Sequence, residues 1–218
     1  GTFNHKEQCF ELRSEPPKKW VNLHYNKIGE HEIYSEISNI GDGFTWCRDG
    51  KGRTCVLTNY DNKYLYIRDD ETNTVFCPWG EPAPTDVQDR VCRYYAGKTE
   101  ISSTCAGLKV TQRVFVPADY VMEAWTVTLE NLSDKPRTIS VFGFAMLQLT
   151  GCDEKGGGVW KDNYALVEPD INGVIVINRN TTLPSERYKG FMVTLNDFAG
   201  GSGYRDHFTR SDFGYGTP

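Results

Sequence analysis

Residues 43–79 read GFTWCRDGKGRTCVLTNYDNKYLYIRDDETNTVFCPW, and this stretch decides the fold class. Phe44, Trp46, Cys47, Val56, Leu57, Tyr64, Tyr66, Ile67, Val75 and Phe76 are β-formers or apolar and come in short runs. Between the runs lie Asp49-Gly50-Lys51-Gly52, Tyr60-Asp61-Asn62-Lys63 and Asp69-Asp70-Glu71-Thr72-Asn73. Apolar runs bounded by Gly, Asn and Asp are hairpin signals, because those residues tolerate the backbone of tight turns. Gly50 and Gly52 can take the positive φ that a hairpin turn needs. In the third run, Tyr64, Tyr66 and Arg68 should face one way and Leu65, Ile67 and Asp69 the other. No helical period fits these runs. The expectation is four short strands joined by three polar turns.

Outward from this stretch, 21 Gly and 10 Pro punctuate almost the whole 218-residue chain. Leu108, Val110, Val114 and Val116 alternate with Lys109, Thr111, Arg113 and Phe115. Val121, Glu123, Trp125, Val127 and Leu129 alternate with Met122, Ala124, Thr126 and Thr128. Residues 139–149 (ISVFGFAMLQL) are apolar on both faces, the pattern of a strand buried on both sides. A third strand group covers Tyr164–Glu168, Val174–Asn178 and Tyr188–Asn196. Gly151–Gly158 and Gly200–Pro218 read as loops. Gly1–Lys19, ending in Pro16-Pro17-Lys18-Lys19, reads as an arm, and residues 20–218 as a single domain. Many short strands with frequent turns give an all-β fold: two large packed antiparallel sheets.

Composition narrows the function. The net charge is −5, which argues against nucleic acid and anionic membranes as partners. No apolar run reaches the length of a membrane span, and no signal-peptide pattern opens the chain. The first residue is Gly, not Met, so the native chain is expected to extend further at one or both ends. The seven cysteines are odd in number and show no C-x-x-C spacing, so buried, reduced thiols in a cytoplasmic protein are expected, with a disulfide framework as the alternative.

Asp69, Asp70 and Glu71 invite a paired-carboxylate reading. A glycosidase needs two carboxyls about 5–10 Å apart across one bond. Strand neighbours point to opposite faces and turn neighbours are solvated, so a charged hairpin turn is the expectation. Arg48-Asp49 and Arg68-Asp69 each close a strand as sheet-end ion pairs or ligand contacts. His5, His24, His31 and His207 are too scattered for a metal site, and no nucleotide or nucleophile motif occurs. No metal, cofactor or catalytic set is therefore expected in these residues. Trp20, Trp79 and Trp160 sit beside Pro, Gly or charged residues, where aromatic rings suit either sugar faces or core edges.

An ordered series of motifs resembles the start of glycoside hydrolase family 94, the inverting cellobiose, cellodextrin and chitobiose phosphorylases once classed as glycosyltransferases. The series runs through Trp20-Val21-Asn22, Ile37-Ser38-Asn39, Gly41-Asp42-Gly43-Phe44-Thr45-Trp46-Cys47-Arg48-Asp49 and Tyr64-Leu65-Tyr66-Ile67-Arg68-Asp69-Asp70. It continues through Cys77-Pro78-Trp79, Cys92-Arg93, Phe115-Val116-Pro117, Glu123-Ala124-Trp125-Thr126-Val127 and Arg137-Thr138-Ile139. The likeness covers about Trp20–Leu149 and loosens from Gly151 on.

The resemblance implies a galactose-mutarotase-like supersandwich, truncated at its C-terminal end. The catalytic (α/α)6 barrel and the phosphate site would lie outside this chain. It implies a homodimer acting on a β-linked gluco-oligosaccharide or disaccharide with inorganic phosphate. This piece alone would be inactive. In that family a sandwich loop reaches the neighbouring subunit's acceptor site. By position this is Gly151–Asn163, which makes Trp160, Lys161, Asp162 and Asn163 the expected sugar contacts. Three glycines in that loop, and Tyr94-Tyr95 where the family tends to carry His-Gly, depart from the family pattern. A free-standing carbohydrate-binding module, or a mutarotase-like isomerase with converging His and Glu, are the alternatives.

Overall fold

A computed structural model describes residues 1–14, 18–80, 82–83, 86–149, 163–178 and 188–203. The chain runs β1 (Thr2–Asn4), β2 (Cys9–Leu12), β3 (Val21–Ile28), β4 (His31–Ser38), β5 (Thr45–Arg48), β6 (Thr54–Thr58), β7 (Lys63–Asp69) and β8 (Thr74–Phe76). It continues β9 (Gln88–Tyr94), β10 (Thr99–Cys105), β11 (Leu108–Phe115), β12 (Ala124–Asn131), β13 (Ile139–Ala145), β14 (Asn163–Glu168), β15 (Gly173–Asn178) and β16 (Lys189–Val193). Among the described residues the only helical element is a 3-10 turn at Pro169–Ile171. All strand pairs are antiparallel, and hydrogen bonding groups them as β1-β2-β9-β10-β11-β12, β3-β4-β5-β6, β13-β7-β8 and β14-β15-β16.

The four strands expected in residues 43–79 are β5 to β8, but they do not form one meander. β5 and β6 form a true hairpin, with Gly52 at φ 75 closing the turn. After β6 the chain leaves that sheet, and β7 and β8 pair in another. The segment Tyr60-Asp61-Asn62 is thus a crossover between sheets. Turn composition marks a change of direction but does not say which strand the chain meets next.

The strand buried on both faces is β7. Tyr64 and Tyr66 enter one cluster with Leu12, Trp79, Cys92 and Ile101; Leu65 and Ile67 enter another with Phe76, Cys105, Leu108 and Val110. Residues 139–149 were expected to be doubly buried. Instead β13 lies at the edge of β13-β7-β8, with Val141 exposed. An apolar run reports the character of both faces, whereas position in the sheet decides what covers them. The alternation expected at 108–115 is present: Leu108, Val110, Gln112 and Val114 are buried on one face of β11.

Residues read as an arm also contribute to the sheet. Cys9 and Leu12 are buried, and β2 pairs with β9. Trp79 is wholly buried, while Trp20 is half-exposed and stacks on Phe10 with ring centroids 5.0 Å apart.

Candidate functional site

Three of the four expected sugar contacts, Trp160, Lys161 and Asp162, lie outside the described residues. The fourth, Asn163, opens β14 directly opposite Asn178 of β15. Its side-chain Nδ2 donates to the carbonyls of Leu147 (2.7 Å) and Gln148 (2.8 Å), and Asn178 Nδ2 donates to the Leu149 carbonyl (3.1 Å). Residues 146–149 are in turn bound along the neighbouring backbone, with Met146, Gln148 and Leu149 N–H groups donating to Asn62, Leu57 and Val56 carbonyls. Two facing asparagines therefore clamp the chain on both sides of residues 150–162. Asn163 spends its amide hydrogens on this clamp, which leaves its carboxamide oxygen as the free polar atom. Asn suits the position because one short amide can donate two bonds to successive carbonyls.

The motifs that carry the family likeness are joints between sheets. Asn22 Nδ2 donates to the carbonyls of Tyr95 (2.8 Å) and Lys98 (3.3 Å) and to Thr99 Oγ1 (3.1 Å), tying β3 to the β9–β10 turn. Asp42, fully buried, accepts from Lys19 Nζ at 2.7 Å, from the Ser38 hydroxyl and from the Asp61 N–H. A Cβ on Gly43 would run into the Glu36 carbonyl oxygen, so that backbone crossing requires glycine.

Glu123 and Lys63 form a buried polar group. Lys63 Nζ lies 2.7 Å from Glu123 Oε2, with the Lys side chain only 1% exposed. Ser35 and Thr45 hydroxyls also donate to the carboxylate, and Trp125 Nε1 donates to Glu123 Oε1 at 2.6 Å. Burial pushes the Glu123 carboxyl up, but the Lys63 charge and these donors outweigh it and hold it below its ordinary value. The sequence reading placed Lys63 in a turn and gave Glu123 no partner. Their meeting depends on a contact 60 residues long in sequence.

The acidic triplet does structural work. Asp69 is buried and bound in a fork by Arg137 Nε and Nη2, while its Oδ1 accepts from the Glu71 and Thr72 N–H groups. Asp70 pairs with Arg68 (2.7 Å) and Ser140 (2.6 Å). The expected turn is there, but Asp69 is a shielded strand end, not a solvated turn residue. Asp49 likewise binds Arg53 across the β5–β6 turn. The carboxylates of Asp69 and Asp70 are thus engaged, whereas Glu71 contributes its backbone N–H and its side chain is exposed.

His24 is buried, bonded to Thr99 Oγ1 at 3.1 Å, and burial lowers its pKa. His31 is exposed at the far end of the β3–β4 pairing, four residue pairs from His24, or roughly 13 Å along the strand. His207 lies outside the described residues. The Glu123 carboxylate acts on His24 in the opposite sense to burial, without outweighing it. No three His, Cys, Asp or Glu side chains among the described residues gather as metal ligands.

A groove of about 450 Å³ runs over the outer face of β9 to β12, lined by Arg13, Arg93, Glu100, Lys109 and Arg113 among others. Each of these bases already has a carboxylate: Glu11 for Arg13 and Arg93, Glu130 for Lys109, Glu100 for Arg113. Burial raises the Glu100 carboxyl, but hydrogen bonds from Lys98 and Arg113 bring it below its ordinary value. The groove is polar and charge-balanced, without an aromatic platform.

This all-β architecture and its motif joints define a supersandwich. The chain matches the family model for the glycosyl hydrolase 94 supersandwich domain over residues 7–208, and it belongs to that family. It is 33% identical over 190 residues to solabiose phosphorylase of Paenibacillus borealis, covering 82% of this chain and 24% of that protein. It is 35% identical over 126 residues to 3-O-beta-D-glucopyranosyl-beta-D-glucuronide phosphorylase of the same organism, covering 58% and 16%. It is 29% identical over 153 residues to N,N'-diacetylchitobiose phosphorylase of Vibrio furnissii, covering 66% and 19%. The chain spans a quarter or less of the length of these relatives.

Proposed function

We propose that this chain is the non-catalytic sandwich of an inverting β-glucoside phosphorylase, supporting dimerisation and shaping the acceptor-sugar site. The carrying observation is the family match over residues 7–208, joined to relatives that are phosphorylases by name. The structural use of Asp69, Asp70 and Glu123 supports chemistry located elsewhere. In this reading phosphorolysis of a β-linked disaccharide or oligosaccharide by inorganic phosphate takes place on a separate catalytic domain. Residues 151–163 then reach the acceptor sugar, with Trp160, Lys161 and Asp162 as the contacts. Asn163 holds the loop's base. The clamp by Asn163 and Asn178 supports that division, since a loop that positions a sugar needs fixed ends. Free thiols at six described cysteines suit a cytoplasmic protein.

The test is phosphorolysis by the full-length gene product. Incubated with inorganic phosphate and a panel of β-linked gluco-disaccharides, it should release a sugar 1-phosphate. No release from any member would overturn the assignment. Replacing Trp160 with Ala should raise the KM for the acceptor in the synthetic direction while the KM for phosphate stays constant.

A further inference from the structure

We propose that Cys47 and Cys55 are a redox-active dithiol that closes reversibly into a cross-strand disulfide. Cys47 on β5 and Cys55 on β6 stand directly opposite each other in the hairpin. Cys55 Sγ donates to the Val56 carbonyl at 3.7 Å, and the Cys55 side chain lies close enough to Cys47 to lower its thiol. Opposed residues in antiparallel strands have Cα atoms about 4.5–5.5 Å apart, inside the roughly 4.4–6.8 Å that a disulfide spans. In directly opposed pairs the Cβ atoms are typically about 4.5–5.5 Å apart, at or slightly beyond the roughly 3.5–4.5 Å of a bridged pair. Closure therefore pinches the two strands together, and a bond made under strain is easily reduced, the labile class and not the structural one. No other two described cysteines face each other across a strand pair: Cys92 opposes Leu12 and Ile101, and Cys105 opposes Leu108.

The two thiols are unequal. Cys47 is half-buried, whereas Cys55 is 4% exposed. The neighbouring Cys55 side chain lowers the Cys47 thiol despite opposition from burial and from the Asp49 carboxylate. Burial pushes Cys77 and Cys92 up to about 12. Cys47 is thus the sulfur a small oxidant can reach, and Cys55 the one that resolves.

With a low-molecular-weight disulfide of the glutathione class, the Cys47 thiolate attacks one sulfur and releases the first thiol, which takes the Cys47 proton. Cys55 then gives up its proton and attacks Cys47 Sγ, and the second thiol leaves with that proton. Two electrons pass from the protein dithiol to the small disulfide. The β5–β6 hairpin, which carries Trp46 and Arg48, ends up covalently tied across its two strands.

The experiment equilibrates the full-length protein in glutathione buffers from reducing to oxidising, quenches in acid, alkylates the remaining thiols and maps them by mass spectrometry. The Cys47–Cys55 linked peptide should rise with oxidised glutathione and disappear with excess dithiothreitol, while Cys77 and Cys92 stay reduced. In the reduced protein Cys47 should alkylate at least about a hundredfold faster than Cys77. Cys55→Ser should trap glutathione on Cys47, and Cys47→Ser should leave Cys55 unmodified. Were either serine variant to misfold, mapping of the unsubstituted protein alone decides. Free Cys47 and Cys55 at the oxidising end, or Cys47 bonded to a different cysteine, would overturn the proposal.

Discussion

Lys63 and Glu123 meet as an ion pair at 2.7 Å where three sheets converge. Lys63 opens β7 and donates to Thr45 of β5, Ser35 of β4 donates to Glu123, and Glu123 immediately precedes β12. A buried pair of this kind owes its value to being complete. Breaking it by removing one partner costs about 3–5 kcal/mol, because the other charge stays buried and alone. Lys63→Met and Glu123→Leu should each lower unfolding free energy by that order in urea titrations. The double variant should recover much of the loss, since two apolar groups leave no orphan charge.

The same pair sets an acid limit. Glu123 has a folded pKa below its ordinary 4.5. A depressed carboxyl contributes fully above its unfolded pKa and loses that contribution as pH falls through the folded value. The stability gap between the natural chain and Glu123→Gln should therefore stay level from neutrality to about pH 5 and narrow below it. Urea titrations across that range check the sign; a gap that widens in acid would contradict it.

Gly43→Ala should be among the most damaging single-methyl changes available. Its φ is 154, and a Cβ there would overlap the Glu36 carbonyl oxygen, a backbone atom in a core strand that cannot swing aside. A loss of several kcal/mol is expected from forced backbone displacement, on the order of 3 or more. Gly52→Ala, with open space around it, should cost only its positive-φ strain, about 1 kcal/mol. Paired thermal melts of the two variants provide the comparison.

Asn163→Ala removes two donors from the Leu147 and Gln148 carbonyls, and each such bond is worth about 0.5–1.5 kcal/mol. Hydrogen exchange should show faster amide exchange at 147–149 and 163–166 with global stability reduced by about 1–3 kcal/mol. Asn163→Asp should not rescue, because a carboxylate has no hydrogens to donate.

Arg137→Met should destabilise the fold in urea titrations, because the Asp69 carboxylate it abandons, with its side chain 4% exposed, keeps only the Glu71 and Thr72 N–H donors. Asp70→Asn, on a more solvent-screened pair, should cost less than Arg137→Met. In the full-length protein neither change should alter the pH profile of kcat, which separates a structural acidic triplet from a catalytic one.

Strand positions in residues 43–79 and 108–115 were legible because they depend on local physics: β-branched and aromatic runs, alternating burial and turn residues act within a few positions. The family motifs were equally legible, since they are short contiguous strings. Sheet membership was not. Tyr60-Asp61-Asn62 looks like any hairpin turn, yet it carries the chain from one sheet to another, and the choice lies with partners such as Ala145, opposite Lys63. The double burial expected of β13 belongs to β7 for the same reason: flanking strands and core clusters, distant in sequence, decide which apolar run becomes central. The charged groups divide in the same way. By itself the sequence determined an all-β sandwich of the phosphorylase kind and the demotion of Asp69, Asp70 and Glu71 from catalytic suspects, because side-chain direction alternates along any strand. Only the tertiary structure decided that Glu123 belongs to Lys63 and Asp69 to Arg137, because each pairing requires segments brought into register by the packing of whole sheets.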